Sequence, residues 1–145
     1  MIPDQAIRTE IVPRVSETDG AGHINNVTSA IWFEAGRREI FRAITPELSF
    51  DRWAVALISM EIRYKRQIYL ASEVSVLTWI RAIGRTSFQV NEVIIQNGSV
   101  CSVGRCTYVH IDYAADKPAP IPQDVRYRLE RLLADTPDFD GEFIR

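Results

Sequence analysis

The sequence predicts an α+β fold: one curved antiparallel sheet laid around one long helix. Three observations carry that expectation. A helical apolar pattern runs from Val27 to about Ile44, the stretch from Val55 to Tyr113 reads almost entirely as strands, and the turns between those strands are too short for parallel crossovers. The chain has 145 residues, the size of one domain spanning 1–145. At that length roughly 68–70% of the unfolded surface can be buried, so the core needs no covalent staple.

Composition excludes several classes. With 46% hydrophobic and 25% charged residues and a mean hydropathy of −0.09, the chain is neither disordered throughout nor fibrous. Seventeen basic against nineteen acidic residues leave a net charge of −2, without the basic bias of a nucleic-acid binder. Local basic clusters could still hold an anion. No apolar run approaches the ~20 residues of a membrane span, and the opening MIPDQAIRTE lacks a signal-peptide pattern. The expected location is the cytoplasm. Cys101 and Cys106 fall in one strand, about 16 Å apart and on opposite faces, so no disulfide is expected. Two thiols without histidine neighbours predict no metal site.

The elements follow in order. Ala6–Val15 alternates, with Ile7, Ile11 and Val15 opposed to Arg8, Glu10 and Arg14, as in a half-buried strand. A glycine-bearing polar loop, SETDGAGHIN, leads to Asn25 and Asn26, either of which can cap the helix. Val27, Ile31, Glu34, Arg38 and Phe41 then share one helical stripe, with Ala30, Phe33 and Ile40 beside it. The first two turns are apolar enough to predict burial, and Thr45-Pro46 stops the helix. Strands follow at Val55–Lys65, Glu73–Ile83, Thr86–Gln96 and Ser99–Tyr113, with Asn97-Gly98 as a hairpin turn. Pro118, Pro120 and Pro122 stiffen a loop before a polar helix at Gln123–Ala134, and the tail to Arg145 reads as loose. Open sheet edges would favour pairing with a second copy.

The loop-to-helix junction concentrates the chemistry: Glu17, Asp19, Gly20, Gly22, His23, Asn25 and Asn26. Glycines let backbone approach a ligand, and a helix start presents unpaired N–H groups with partial positive charge. Such a place can hold a developing oxyanion, and a neighbouring carboxylate can serve as nucleophile or general base. The same residue types also make ordinary turns and caps, and spacing alone leaves both readings open.

The run IVPRVSETDGAGHINNVTSAIWFEAGRREIF resembles the opening of hotdog-fold acyl-CoA thioesterases, the broad family of 4-hydroxybenzoyl-CoA thioesterase. There a strand leads into T-D-x-x-G-H-V-N-N and a helix carrying Y-F-E-x-x-R. The matching residues are Thr18, Asp19, Gly22, His23, Ile24, Asn25, Asn26, Phe33 and Glu34. Weaker likenesses follow in order at Tyr64-Lys65-Arg66, Gly84-Arg85-Thr86-Ser87-Phe88 and Lys117-Pro118-Ala119-Pro120-Ile121-Pro122. Gln67 in place of proline, Ala71-Ser72-Glu73 in place of Gly-Asp, and Ala35 in place of a second acid depart from the family pattern and leave the substrate open.

The resemblance implies a hotdog fold and hydrolysis of an acyl-CoA to free acid and CoA. It requires no metal or bound cofactor; coenzyme A enters as part of the substrate. Asp19 falls on the catalytic carboxylate, as nucleophile or general base. Asn26 falls where a helix-start amide polarises the thioester oxygen, and His23 could orient the loop or contact the thioester. Glu34 lies on the apolar stripe, where burial would raise its pKa and suit water activation, or where it would simply pair with Arg38. Lys65, Arg66, Arg85, Thr86 and Ser87 are the candidate CoA contacts. Trp32, Trp53 and Trp79 read as core or interface, and any of them could line an acyl pocket.

A homodimer or homotetramer with sites between subunits is implied. Rival readings are a thioesterase acting on acyl-carrier protein and an idle acyl-thioester-binding module. A hotdog dehydratase would need a Pro/Gly-rich turn after its histidine, and Ile24-Asn25-Asn26 stands there instead.

Overall fold

The computed structural model describes residues 2–136 and Phe139; the tail expected to be loose lies largely outside them. Strand β1 (Ile7–Ile11) is followed by helices α1 (Asn26–Gly36) and α2 (Arg38–Ile44). Then come β2 (Val55–Tyr64), β3 (Val74–Ile83), β4 (Ser87–Gln96), β5 (Ser99–Asp112), a short β6 (Lys117–Pro118) and α3 (Gln123–Glu130). The sheet runs β1-β3-β4-β5-β2, with β6 added to β5, and every named pairing is antiparallel. β1 and β2 therefore form its edges.

β1 stops at Ile11, four residues short of the expected end. Pro13 cannot donate to a ladder, and Val15 is 73% exposed at the start of a 3-10 turn. Single-residue bulges leave Ile58, Arg81 and Cys101 outside the ladder, which strengthens the curl of the sheet. They also change the phase of the strands. Ile58, the extra residue in β2, is 60% exposed. Cys101, expected on the face opposite Cys106, packs with Trp32 and Phe33 beneath α1, whereas Cys106 packs with Ile40 beneath α2. Both thiols are free.

The expected single helix is broken at Arg37, and its buried face is not the expected stripe. Thr28, Ser29, Trp32, Phe33 and Gly36 are buried, while Val27 and Ile31 are 67% and 58% exposed. Two glycines set that face. A Cβ on Gly104 would lie 2.9 Å from the Phe33 ring, and one on Gly36 would lie 2.7 Å from Val76 Cγ1. Backbone thus approaches side chain at both places, and α1 sits deep in the trough of the sheet.

At the break, Arg37 (ψ 4°) turns into the core with 0% exposure. Its Nε lies 2.9 Å from Glu92 Oε1, and Nη1 donates to the Tyr108 hydroxyl at 2.6 Å. Cys106 Sγ completes the group, 3.3 Å from the same Glu92 oxygen. Burial pushes the Glu92 carboxyl up to about 7, with Arg37 pulling the other way. The outer sheet face is covered too: Leu77, Trp79, Val93 and Val103 pack with Ala134 and Phe139, and Trp79 Nε1 donates to Thr136. This double cover explains why β3 is buried continuously from Val74 to Ile80.

Candidate active site

Local backbone chemistry builds the loop before α1. Thr18 and Ile24 form an antiparallel bridge, and Asp19 N–H donates to His23 C=O at 3.1 Å. The tight return needs positive φ at Gly20 (88°) and Gly22 (79°). The loop is strapped to the segment after β2: Ile24 N–H donates to Ile68 C=O, and Leu70 N–H to Gly22 C=O. Gln96, unremarked in the sequence, fixes that segment in turn. Its side chain accepts from Tyr69 N–H and donates to the carbonyls of Tyr69 and Ser72.

Glu17 and Asp19, two carboxylates on one loop, have different surroundings. Glu17 is buried and accepts from Trp32 Nε1 at 2.9 Å and from Arg14 N–H at 2.7 Å. Although burial opposes ionisation, these bonds and the Arg14 charge hold its pKa below the ordinary carboxylate value. It anchors the loop to α1. Asp19 is exposed, and among the described residues only Ala21 N–H donates to its carboxylate, at 3.3 Å.

Asn25 is the cap. Its side chain accepts from Val27 N–H at 2.8 Å and its carbonyl from Thr28 N–H. Asn26 N–H takes no acceptor among the described residues and remains at the positive end of α1. Tyr64, the last residue of β2, donates its hydroxyl to Asn26 C=O at 2.7 Å, tying the sheet edge to the helix start. Partial burial raises the Tyr64 phenol pKa, which keeps it a donor.

These elements enclose a cavity of about 470 Å³. Asp19, Asn26, Tyr64, Lys65 and Arg66 line it, with Ser29 and Ser102 also on its wall. Lys65 and Arg66 border a second cavity of about 450 Å³ toward Ser99 and Val100.

Of the residues singled out in the sequence, Asp19, Asn26, Lys65 and Arg66 therefore come together. His23 lies beside them, half-buried, its ring edge-on to Tyr69 at 5.1 Å. Glu34 does not join them. It is exposed, about 12 Å farther along α1, so the expected burial is absent. The expected pair with Arg38 is absent among the described residues too, because the break at Arg37 takes Arg38 out of register.

Arg85, Thr86 and Ser87 stand at the other end of the sheet. Thr86 C=O accepts from His110 N–H, whereas Lys65 N–H donates to Cys101 C=O. The separation along β5 is roughly 30 Å. Arg126 holds that distant turn through Gly84 C=O at 2.6 Å. None of the tryptophans lines the larger cavity.

The model of the thioesterase-like superfamily matches residues 13–129. The fold is the hotdog fold of that group, and the chain belongs to the thioesterase-like superfamily. A structure described as a predicted thioesterase from Bacillus stearothermophilus is 49% identical, with a TM-score of 0.87 over 90% of this chain and 98% of that one. A thioesterase from Thermus thermophilus, solved with coenzyme A and Zn, is 27% identical, with a TM-score of 0.78 over 88% of this chain and 93% of its own. The uncharacterised protein YsmA of Bacillus subtilis (strain 168) is 28% identical over 106 residues, 72% of this chain and 71% of its own. Among the described residues, no helix is long and apolar enough to cross a membrane.

Proposed function

We propose that the chain is an acyl-CoA thioesterase, hydrolysing the thioester to free acid and CoA without a resident cofactor. One observation carries the reading: among the described residues, an exposed carboxylate with most of its hydrogen-bonding capacity unspent, Asp19, and an unspent helix-start N–H, Asn26, line one cavity. The substrate carbonyl oxygen accepts from Asn26 N–H, so charge developing on it meets the positive end of α1. Asp19 then acts in one of two ways. Its oxygen bonds to the carbonyl carbon and the C–S bond breaks, leaving a mixed anhydride that water cleaves; or it takes a proton from a water that attacks directly. CoA leaves as the thiolate and acquires a proton. His23 orients the loop through its neighbours. Lys65 and Arg66, between the two cavities, supply positive charge for the phosphates.

A second copy of the chain completes the site. Edge strand β2 with exposed Leu57 and Ile58, and the exposed Val27–Ile31 face of α1, are the surfaces it would cover. Arg85, Thr86 and Ser87, and the exposed Glu34, reach substrate only from such a copy, given their distance within one chain.

The test is CoA release from a panel of acyl-CoAs, followed with a thiol reagent, by the wild type and Asp19→Asn matched for fold and oligomeric state. Release lost in the variant is expected; equal release would remove Asp19 from the mechanism. In a single turnover in ¹⁸O-water, unlabelled acid together with ¹⁸O in Asp19 would demonstrate the nucleophilic route, water having attacked the Asp19 side of the anhydride. Turnover confined to carrier-protein thioesters would move the substrate to acyl-carrier protein, and binding without turnover would make the chain a thioester-binding module.

A further inference from the structure

The cavity holding Asp19 carries more hydroxyl groups than cleavage of a thioester uses. Exposure grades its wall: Asp19 and Asn26 are exposed, whereas Ser29 is 2% and Ser102 0% exposed. Ser29 lies one helical turn beyond Asn26, hence on the same face of α1. Ser102 is the cross-strand partner of Tyr64 on β5, which places their Cβ atoms about 4.5–5.5 Å apart. The Ser102 hydroxyl has no hydrogen-bond partner among the described residues. The cavity has two aliphatic side chains on its wall, Ile24 and Ile68.

We infer that the acyl group held here bears its own oxygen, a hydroxyl or oxo substituent near the thioester carbon, which hydrogen-bonds with Ser102 and Ser29. The inference rests on the thioesterase reading and names its substrate class. The Ser102 hydroxyl is already closed to water with nothing among the described residues to bond to, a state proteins seldom tolerate, and a saturated alkyl chain pressed against this wall would leave it so. An oxygen on the chain supplies the missing partner, and sites that expect such an oxygen reject chains lacking it. Because the reacting carbonyl is held at Asn26, one turn away from Ser29, the substituent belongs a few bonds along the chain.

The probes are non-hydrolysable analogues of butyryl-CoA and racemic 3-hydroxybutyryl-CoA, with CH2 in place of the thioester sulfur. Their affinities are measured by calorimetry on the wild-type oligomer. The hydroxylated analogue should bind on the order of tenfold more tightly. Ser102→Ala should abolish that advantage by weakening the hydroxylated analogue while leaving the butyryl analogue little changed, and Ser29→Ala should reduce it and serves if Ser102→Ala does not fold. Equal wild-type affinities, no binding of either analogue, or variants that weaken both equally overturn the inference; in the first case a retained water is the partner of Ser102. The readout needs no turnover. A preference without CoA release from any thioester would sink the hydrolase reading alone, and CoA release without a preference would sink this inference alone.

Discussion

The two ends of α1 treat polar groups in opposite ways. At its start, Asp19 and Asn26 N–H face a cavity with most of their hydrogen-bonding capacity unspent among the described residues. At its end, Arg37 is wholly buried, and Glu92, Tyr108 and the Phe33 carbonyl each engage its guanidinium. Both ends carry a charge that would cost free energy if misplaced. Only the first leaves that charge available to a substrate; the second uses it to fix where the helix breaks. Strong electrostatics alone therefore do not mark the site. The most perturbed titratable groups, Glu92 and Cys106, belong to the buried end, where burial has raised both.

Asp19→Asn should break the first end and leave the second intact. The amide keeps the acceptor for Ala21 N–H, so stability should change by less than about 0.5 kcal/mol in chemical denaturation. Thioester turnover should fall on the order of 10³-fold, about 4 kcal/mol of barrier. Loss of stability instead of turnover would make the two ends alike.

Arg37→Met inverts that pattern. It leaves Glu92 buried without its cation, and stability should drop by about 3–5 kcal/mol at neutral pH. The pH dependence sharpens the test. Glu92 has a folded pKa of about 7 against an ordinary 4.5. Between those values the folded chain holds a proton that the unfolded chain has released. This group therefore lowers stability as pH rises from about 4.5 through about 7, and has no such effect below 4.5. Without Arg37 the Glu92 pKa rises further and the decline extends above about pH 7. Denaturation midpoints at pH 5 and pH 8 should therefore show a larger Arg37→Met penalty at pH 8, whereas an equal penalty would mean that Glu92 is not the group responsible.

Gly36→Ala asks whether close approach or the ion pair sets the break. The new methyl would lie 2.7 Å from Val76 Cγ1 and 2.9 Å from Thr78 Oγ1 on a fully packed strand. A loss of about 1–3 kcal/mol is expected, read from the denaturation midpoint. A neutral result would assign the break to Arg37 alone.

The sequence reveals these two ends unequally. The Asp19 loop could be read because its chemistry is local: glycines at positive φ, a capping asparagine and an acid lie within a few residues of one another. Strand boundaries from β3 to β5 fell within a residue or two because alternation and the Asn97-Gly98 turn are local as well. The break could not be read, since Arg37 turns inward only because Glu92 and Tyr108 wait on β4 and β5. The buried face of α1 was misassigned for a related reason. It is set by the absence of a side chain at Gly36 and Gly104, and hydrophobic periodicity gives no weight to an absence. The remaining outward apolar stripe, Val27 and Ile31, then resembled a core face. Bulges at Ile58 and Cys101 hid similarly, because an extra residue in a ladder is defined by its partner strand.

The smallest expected effect joins sheet edge to helix start. Tyr64→Phe keeps the ring but removes the hydroxyl that donates to Asn26 C=O at 2.7 Å. Asn26 carries the proposed oxyanion amide, so this bond holds the donor rather than touching the reacting atoms, and Tyr64 is a positioning residue. One hydrogen bond of this kind contributes about 0.5–1.5 kcal/mol. If the hydroxyl holds the amide where transition-state charge develops, that amount should appear in kcat, as a fall of about three- to tenfold with KM little changed. Tyr64→His, which can still present a ring N–H, should recover part of the loss if the donor itself matters. A rise in KM at unchanged kcat in Tyr64→Phe would instead make the Tyr64 hydroxyl a contact of the bound substrate, and the start of α1 would then hold its geometry through Asn25 and Glu17 alone.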